Sequence, residues 1–223
     1  MLVDLAPLAG FVPAALVVTT TPGADTMLTI RNTARWGRRG GVLTILGILT
    51  GVSLMSVLVV SGVGVLLTRT PFAMEALKIG GALYLLWLAI QSVMAVIRIH
   101  RGADGGWSPV EGDIQTVARK NWRERFGPFL TGLFTNVTNP KVLVFLFAFF
   151  PQFLGTAEST TLQLVMLAVI WIGLAIGWLG LIVATVQQSS RIVQSPRFSL
   201  VMEYVSAAVF VALAVVLVLP THA

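Results

Sequence analysis

The chain contains no cysteine and very little charge, and each absence excludes a class of protein. Its 223 residues include 15 Lys and Arg and nine Asp and Glu, so that charged residues make up only 11%. A soluble domain carries about 25% charged residues, so a water-soluble fold with one ordinary core is not expected. The lack of cysteine excludes disulfide scaffolds, thiol redox relays, thiolate metal sites and cysteine nucleophiles.

The sequence also lacks the motifs of the common enzyme classes. The two histidines fall in a predicted loop (His100) and in the C-terminal tail (His222), and no HExxH, GxSxG or phosphate-binding Gly-Lys-Ser/Thr motif occurs. Hydrolysis inside a membrane would need a nucleophile with a base, or a metal site. We therefore expect no enzyme activity, no cofactor and no metal site. A net charge of +6 can indicate nucleic-acid binding in a soluble protein, but no nucleic-acid partner is expected here.

Long apolar runs are what the sequence does contain, since hydrophobic residues make up 56%. A helix needs roughly 20 apolar residues to cross a bilayer. Barrel strands would alternate apolar and polar residues, whereas these runs are apolar at nearly every position. The predicted fold class is therefore an all-α integral membrane protein in a lipid bilayer. Its six transmembrane helices are expected near 6–29, 42–67, 72–97, 127–150, 161–186 and 199–219.

Lys and Arg are distributed unevenly between the predicted loops. The loops at 30–41, 98–126 and 187–198 hold four, six and two of them, whereas the opposite side holds Arg69. Basic loops stay in the cytoplasm, which predicts a multi-pass plasma (inner) membrane protein with both termini outside. Residues 1–20 contain no Lys or Arg, so we expect no cleaved secretory signal there.

A cut at the longest loop divides the chain into two halves of three spans. The predicted organisation is a first half at 1–98, a cytoplasmic loop at 99–126 and a second half at 127–223. Because three is odd, the second half enters the membrane from the opposite side, which defines a 3+3 inverted-topology repeat. The second span of each half holds a Gly-x-x-x-Gly spacing that lets helices approach closely, namely Gly47/Gly51 and Gly173/Gly177.

The first and fourth spans are both interrupted near mid-membrane, at Thr21-Pro22-Gly23 and at Asn139-Pro140-Lys141. Proline breaks a helix and suits the first position of the next one, and Thr and Asn are good N-cap residues. We therefore expect each broken span to restart as a half-helix whose N-terminus favours an anionic group such as a carboxylate. The alternative is a pair of proline kinks with a structural role only.

Two opposite charges, Asp25 and Lys141, accompany these breaks. Ionisable residues inside a membrane are costly and mark functional sites. One interpretation is that the two charges pair with each other at rest, and the other is that they flank a zwitterion; the two are compatible if substrate competes with the pair. In the second case Asp25 takes an ammonium or carries a proton, and Lys141 and the helix ends take a carboxylate. The candidate residues for binding substrate or coupling ion are Thr21, Pro22, Gly23, Asp25, Thr26, Asn136, Thr138, Asn139, Pro140 and Lys141.

Several motifs, taken in order, resemble the LysE/RhtB family of amino-acid exporters, the LysE-type translocators. The resemblance implies secondary-active efflux of amino acids or related small metabolites by alternating access, driven by a proton or other ion gradient. Ala24 stands where the family often has a second proline. The motifs are Pro22-Gly23-Ala24-Asp25, Gly-Arg-Arg-Gly at 37–40, Gly81-Ala82-Leu83-Tyr84-Leu85, and the block 132–141 that runs into Phe150-Pro151-Gln152-Phe153.

Two other functions stay open at this point. A small-ion or metal-cation exporter is disfavoured because the spans hold few carboxylates and no His or Cys, and a non-transporting membrane scaffold subunit remains an alternative. Self-association into a homo-oligomer is also left open. For the aromatic residues at 145–153 the sequence predicts a lipid-facing or packing surface, with a gate as the alternative.

Overall fold

The computed structural model of the protein describes residues 1–21, 23–69, 71–101, 120–188 and 196–218. Within these ranges every regular element is a helix, and a π-helical turn (Phe145–Phe149) and a 3₁₀ turn (Phe150–Phe153) extend α5. Most of the predicted loop 99–126 lies outside the described residues. The helices are α1 (Leu8–Thr20), α2 (Ala24–Arg69), α3 (Pro71–His100), α4 (Lys120–Val137), α5 (Pro140–Val144), α6 (Thr160–Gln188) and α7 (Pro196–Val218).

By length and composition alone, three stretches of these helices are sufficient to cross a membrane: Ala24–Gly62, which contains the turn described below, Ile79–His100 and Thr160–Val186. The pair Gly127–Val137 and Pro140–Phe153, bent by 48°, adds a fourth if it counts as one span. Leu8–Thr20 and Glu203–Val215 are apolar but shorter. These findings cover the described residues and confirm an all-helical, multi-pass membrane protein, while the number of six spans stays a prediction.

Helix α2 consists of two helices that reverse direction at Gly37. Gly37 has φ 67° and ψ −165°, a conformation that is essentially restricted to glycine. Asn32 Nδ2 donates to Thr44 Oγ1 at 2.8 Å, although twelve residues of a straight helix would separate the two by about 18 Å. Residues 24–36 and 38–69 therefore lie side by side. The predicted loop at 30–41 is thus reduced to one glycine, because that glycine makes the whole turn.

Residues 38–69 of α2 pack closely along α4, on the broken span of the other predicted half. A Cβ added at Gly47 would clash with the carbonyl of Phe129, and one added at Gly132 would clash with the carbonyl of Thr44. Only glycine permits such an approach of two backbones, so the close contact predicted for Gly47/Gly51 is confirmed. No atom of the described structure lies within 4 Å of a Cβ added at Gly173 or Gly177, so this pair brings no described helix into close contact.

Helix α6 packs along the first broken span through two tryptophans instead. Trp171 Nε1 donates to Thr19 Oγ1 at 3.0 Å, and Trp178 Nε1 donates to Thr26 Oγ1 at 3.3 Å. Thr19 lies before the break and Thr26 after it, so α6 bridges the break. Because both contacts advance in the same direction along the two chains, α6 runs parallel to the first broken span. The indole rings bridge a wider space between α6 and the first broken span than the one that the glycines leave between α2 and α4.

An aromatic cluster fills the space between α1, the extension of α5 and α6. The ring of Phe11 lies 5.3 Å from that of Phe150, and the ring of Phe145 lies 4.9 Å from that of Trp171. All four side chains are buried. The aromatic residues predicted to form a lipid-facing or packing surface therefore pack in the interior at positions 145, 149 and 150.

The N-terminal residues are attached to the segment that joins α5 to α6. Asp4 Oδ2 accepts hydrogen bonds from the backbone N–H and the hydroxyl of Thr156, both at 2.9 Å. Gln163, which is buried, donates to the carbonyls of Asp4 and Phe153 and accepts from the N–H of Asp4. We call this set of contacts, made by Asp4, Phe153, Thr156 and Gln163, the N-terminal clasp. It holds α1 against the end of the broken helix α5.

Candidate functional site

The first broken span ends and restarts within four residues. The N–H and the hydroxyl of Thr21 both donate to the carbonyl of Val17, so Thr21 terminates α1. The carbonyl of Gly23 accepts from the N–H of Met27, which makes Gly23 the residue from which α2 starts. The expectation that Thr21 caps the second half-helix is therefore wrong, because its side chain is engaged by the preceding turn. Pro22 lies outside the described residues.

The second broken span restarts as the sequence predicts, with Asn139 as N-cap and Pro140 at the first helical position. Asn139 Oδ1 accepts from the N–H of Lys141 at 3.1 Å, and its carbonyl accepts from the N–H of Val142. Since Pro140 has no N–H, the backbone donors of the first turn are satisfied within the chain. The positive group at this break is therefore the ammonium of Lys141 rather than a free helix end.

The two breaks are in direct contact through Lys141. Its Nζ donates to the carbonyl of Thr21 at 2.7 Å. A Cβ added at Gly23 would lie 3.4 Å from the same nitrogen, so the glycine leaves just enough room for the ammonium. The lysine of the second broken span thus binds the interrupted backbone of the first.

A second set of contacts runs through Asp25. Its Oδ2 accepts from Asn136 Nδ2 at 3.0 Å and from Asn139 Nδ2 at 3.2 Å. Its other oxygen, Oδ1, is buried and has no hydrogen-bond partner among the described residues, and the same is true of Asn136 Oδ1. Native structures leave few buried polar atoms unpaired. The site therefore holds two unused acceptors, one oxygen of the fixed carboxylate and the amide oxygen of Asn136.

Asp25 and Lys141 form no direct hydrogen bond or salt bridge with each other. An ion pair near the start of the chain joins the N-terminus to Glu158. Each of the two intramembrane charges is bound by neutral groups instead, the carboxylate by two amides and the ammonium by a carbonyl. The interpretation in which the two side chains pair directly does not hold in this structure.

The remaining candidates have different surroundings. Thr26 is buried and accepts from Trp178. Thr138 is exposed and its hydroxyl donates to the carbonyl of Phe134 at 2.7 Å, while Pro140 is exposed. The structure thus brings together Thr21, Gly23, Asp25, Asn136, Asn139 and Lys141, and it leaves Thr138 outside this cluster.

A row of buried polar residues continues from Asp25 along one face of α2. Thr29, Asn32 and Thr33 follow it at helical spacing, and all three are buried. Asn32 Nδ2 also lies 3.4 Å from Thr131 Oγ1 of α4. Asn32 falls in the loop predicted at 30–41, so this row was not predicted from the sequence. Extending the helical spacing of polar residues from the first span through residues 30–36 would have predicted the row.

The sequence also did not point to the apolar residues around Lys141. A cavity of about 10 Å³ adjoins the lysine and is enclosed by α1, α3, α5 with its π turn, and α7. Apolar residues inside an apolar helix carry no signal of their own. Across the described ranges, no group of three or more His, Asp or Glu is arranged to hold a metal ion.

Two broken helices that meet at charged side chains inside a helical membrane protein are typical of secondary transporters. The chain belongs to the LysE type translocator family, whose model matches residues 16–221. The resemblance drawn from the motifs is thereby confirmed.

Several curated relatives are similar to this chain along much of their length. The uncharacterized membrane protein YrhP of Bacillus subtilis is 27% identical over 204 residues, which cover 92% of this chain and 94% of the relative. The homoserine/homoserine lactone efflux protein of Salmonella typhimurium is 36% identical over 153 residues, 69% of this chain and 67% of the relative. The leucine efflux protein of an Enterobacter species is 26% identical over 151 residues, 68% of this chain and 65% of the relative. No solved structure matches the chain.

Proposed function

We propose that this protein exports amino acids or closely related small metabolites across the plasma membrane, as a gradient-driven transporter that works by alternating access. Membership of a translocator family supports this proposal. Two relatives are named as efflux proteins, one for homoserine and its lactone and one for leucine. All three compounds carry an α-amino group next to a carboxyl-derived group.

The proposed architecture is six spans in a 3+3 inverted repeat. Helix α1 and residues 24–36 form the first, broken span, and α4 and α5 form the fourth. The parallel packing of residues 38–69 on α4 and of α6 on the first span supports the repeat, since the second span of each half packs on the broken span of the other. The hairpin at Gly37 then lies in the cytoplasm together with Arg38 and Arg39, and the N-terminal clasp lies outside.

The observation that carries the proposal is the arrangement of Asp25 and Lys141 at the contact of the two breaks. Asp25 Oδ1 is an unpaired acceptor for a substrate ammonium. Lys141 Nζ is held by a neutral carbonyl, and a carboxylate is a stronger partner for an ammonium than a carbonyl is. A zwitterion with both groups on one carbon would satisfy both side chains at once.

This exchange of partners connects binding to movement. The bonds from Lys141 to Thr21 and from Asn139 to Asp25 join the two halves of the chain without substrate. The carboxylate of a bound zwitterion would replace the bond from Lys141 to Thr21 with a bond to itself, while its ammonium would draw Asp25 through the free Oδ1. The halves are then free to separate on one side, and the preference of substrate for the separated state shifts the equilibrium.

The test is transport by the purified protein in proteoliposomes, measured as counterflow of labelled leucine and homoserine and as efflux driven by an imposed pH gradient. We expect Asp25→Asn and Lys141→Met each to lower transport about 10- to 100-fold, because each removes one charged hydrogen bond to the substrate. Glu75→Gln, which neutralises an exposed carboxylate on α3, is the matched control and keeps full transport.

The same assay separates the two roles of Asp25. Loss of both counterflow and efflux identifies the ammonium partner, whereas loss of gradient-driven efflux alone identifies a proton carrier. Full transport by Asp25→Asn would remove this residue from the mechanism. Ion flux without amino-acid flux would indicate an ion exporter, and no flux of either kind would indicate a scaffold subunit.

A further inference from the structure

The cavity beside Lys141 has an almost entirely apolar lining. Lys141 is the one charged residue of the lining within the described part of the chain, and it also belongs to the site where the two breaks meet. The cavity therefore borders the proposed binding site at the lysine side chain. The other lining residues are Val18, Leu85, Val144, Phe145, Phe149, Phe210 and Leu213.

The charges at the site are accounted for by the backbone groups of an amino acid. If Asp25 takes the ammonium and Lys141 the carboxylate, the lining offers no further charge for a side chain. A polar or charged side chain entering this lining would lose its water without finding a partner. An aliphatic side chain would gain from leaving water.

We propose that this cavity receives the substrate's side chain, so that the transporter selects neutral amino acids with aliphatic side chains. The inference rests on the proposed function and deepens it. It assigns the choice of substrate to the apolar lining residues and leaves Asp25 and Lys141 with the groups that all α-amino acids share.

The cavity is a collapsed form of the side-chain pocket. Its volume of about 10 Å³ is close to the roughly 10–15 Å³ that one water needs, so the pocket must widen before a side chain enters. Leu85 of α3 and Phe210 and Leu213 of α7 form one wall, and α3 packs on α7. The opposite wall includes the π turn after α5, and such turns occur often at functional sites. Movement of the α3–α7 pair away from α5 widens the pocket.

The sharpest ligand test compares norvaline with homoserine, which have nearly the same shape and differ by a methyl group in place of a hydroxyl. Each is added as competitor to leucine counterflow in proteoliposomes, with lysine and glutamate as charged competitors. We expect norvaline to compete at least about tenfold better than homoserine, and both charged amino acids to compete less well than homoserine. Equal competition by norvaline and homoserine overturns the inference.

The matching protein test changes the size of the pocket. Leu213→Phe fills it, and we expect the ratio of leucine to alanine transport to fall at least about tenfold, since one methylene in an apolar pocket is worth about that much discrimination. Val215→Phe is the control, because Val215 lies two residues further along α7 and is 52% exposed. Leu85→Ala enlarges the pocket and is expected to favour phenylalanine, with Leu83→Ala on the exposed face of α3 as its control.

Because the readout is a ratio of substrates, a general loss of folded protein does not imitate the expected result. The inference is overturned if Leu213→Phe keeps the wild-type leucine-to-alanine ratio and Leu85→Ala keeps the wild-type substrate preference. The proposed function still stands in that case, as long as amino acids are transported. Absence of exchange for every amino acid in the wild-type protein overturns both.

Discussion

At the scale of single residues, the site keeps buried polar atoms that the fold does not satisfy. Asp25 Oδ1 and Asn136 Oδ1 are both without a partner in the described structure. Leaving such a group unpaired costs about 1–3 kcal/mol. The protein thus gives up stability at the place where a substrate would add hydrogen bonds, which is what a binding site requires.

Gly51 sets the position of Asn136 and gives a test at this scale. A Cβ added at Gly51 would lie 2.8 Å from Asn136 Oδ1, so Gly51→Ala must displace the amide that donates to Asp25. We expect transport to fall several-fold, with a loss of about 1–3 kcal/mol in stability from overpacking. Both are measured on the purified protein, as counterflow and as thermal unfolding in detergent.

Gly62→Ala is the control for this change. It lies on the same helix, with no atom of the described structure within 4 Å of an added Cβ. Alanine is the better helix former by about 0.5–1 kcal/mol, so this variant should keep its transport and unfold at the same or a slightly higher temperature. Equal behaviour of the two variants would show that Gly51 does not position Asn136.

At the scale of elements, the hairpin at Gly37 depends on one backbone conformation. A residue with a side chain at φ 67° and ψ −165° is strained by about 1–3 kcal/mol. We therefore expect Gly37→Ala to lower the unfolding temperature clearly, because residues 24–36 and 38–69 can no longer meet without strain. Gly173→Ala, in open space on α6, should unfold like the wild type, and a wild-type temperature for Gly37→Ala would contradict the strain.

The N-terminal clasp is the element whose stability should depend on pH. The hydrogen bond from the backbone N–H of Thr156, followed by that from Ala6, lowers the pKa of Asp4 below its ordinary value of 3.8. Because the pKa of Asp4 is lowered on folding, its carboxylate stabilises the folded state at pH values above the ordinary pKa. This stabilisation is lost as the pH falls through the pKa that Asp4 has in the folded state. The clasp is therefore intact at neutral pH and weakens only in strong acid.

Hydrogen exchange in residues 151–159 measures this, after correction for the pH dependence of the chemical exchange rate. We expect slow exchange at pH 7 and faster exchange in the wild type once the pH has fallen through the lowered pKa of Asp4. Asp4→Asn should exchange fast at both pH values, whereas Glu158→Gln, which alters the exposed pair with the N-terminus, should resemble the wild type. Slow exchange in Asp4→Asn at pH 7 would show that Asp4 does not hold the segment.

At the scale of the whole molecule, the proposed sidedness can be tested with introduced cysteines, since the chain has no cysteine of its own that would also react. Single cysteines are placed at the exposed positions Arg39 and Glu158. We expect a membrane-impermeant maleimide to label Glu158→Cys in intact cells and to label Arg39→Cys only after the membrane is opened. The reverse pattern would invert the topology, and equal labelling of both would place the two positions on one side.

The sequence predicted the parts of this molecule that depend on local chemistry. Asn139 before Pro140 predicts a helix start because an amide cap and a proline act within one turn. The intramembrane charges of Asp25 and Lys141 stand out because lipid makes them costly. The motifs around these two residues are also sufficient to identify the family.

Contacts between distant elements could not be predicted in the same way. The bonds of Trp171 and Trp178 to threonines on either side of the first break depend on how α6 packs, and nothing near either tryptophan indicates it. The close contact at Gly47 and the open space at Gly173 come from the same spacing of glycines. The two glycine pairs differ only in whether another helix packs against them.

The interleaved packing also has a consequence for how the protein is made. Asp25 reaches the membrane early in synthesis, while Asn136 and Asn139, its amide partners, follow 111 and 114 residues later. At about 5–20 residues per second, the nascent first half waits on the order of ten seconds with a carboxylate that has no amide donor. During that interval it depends on the insertion machinery or on trapped water, so substitutions that slow translation between the halves should lower the yield of inserted protein.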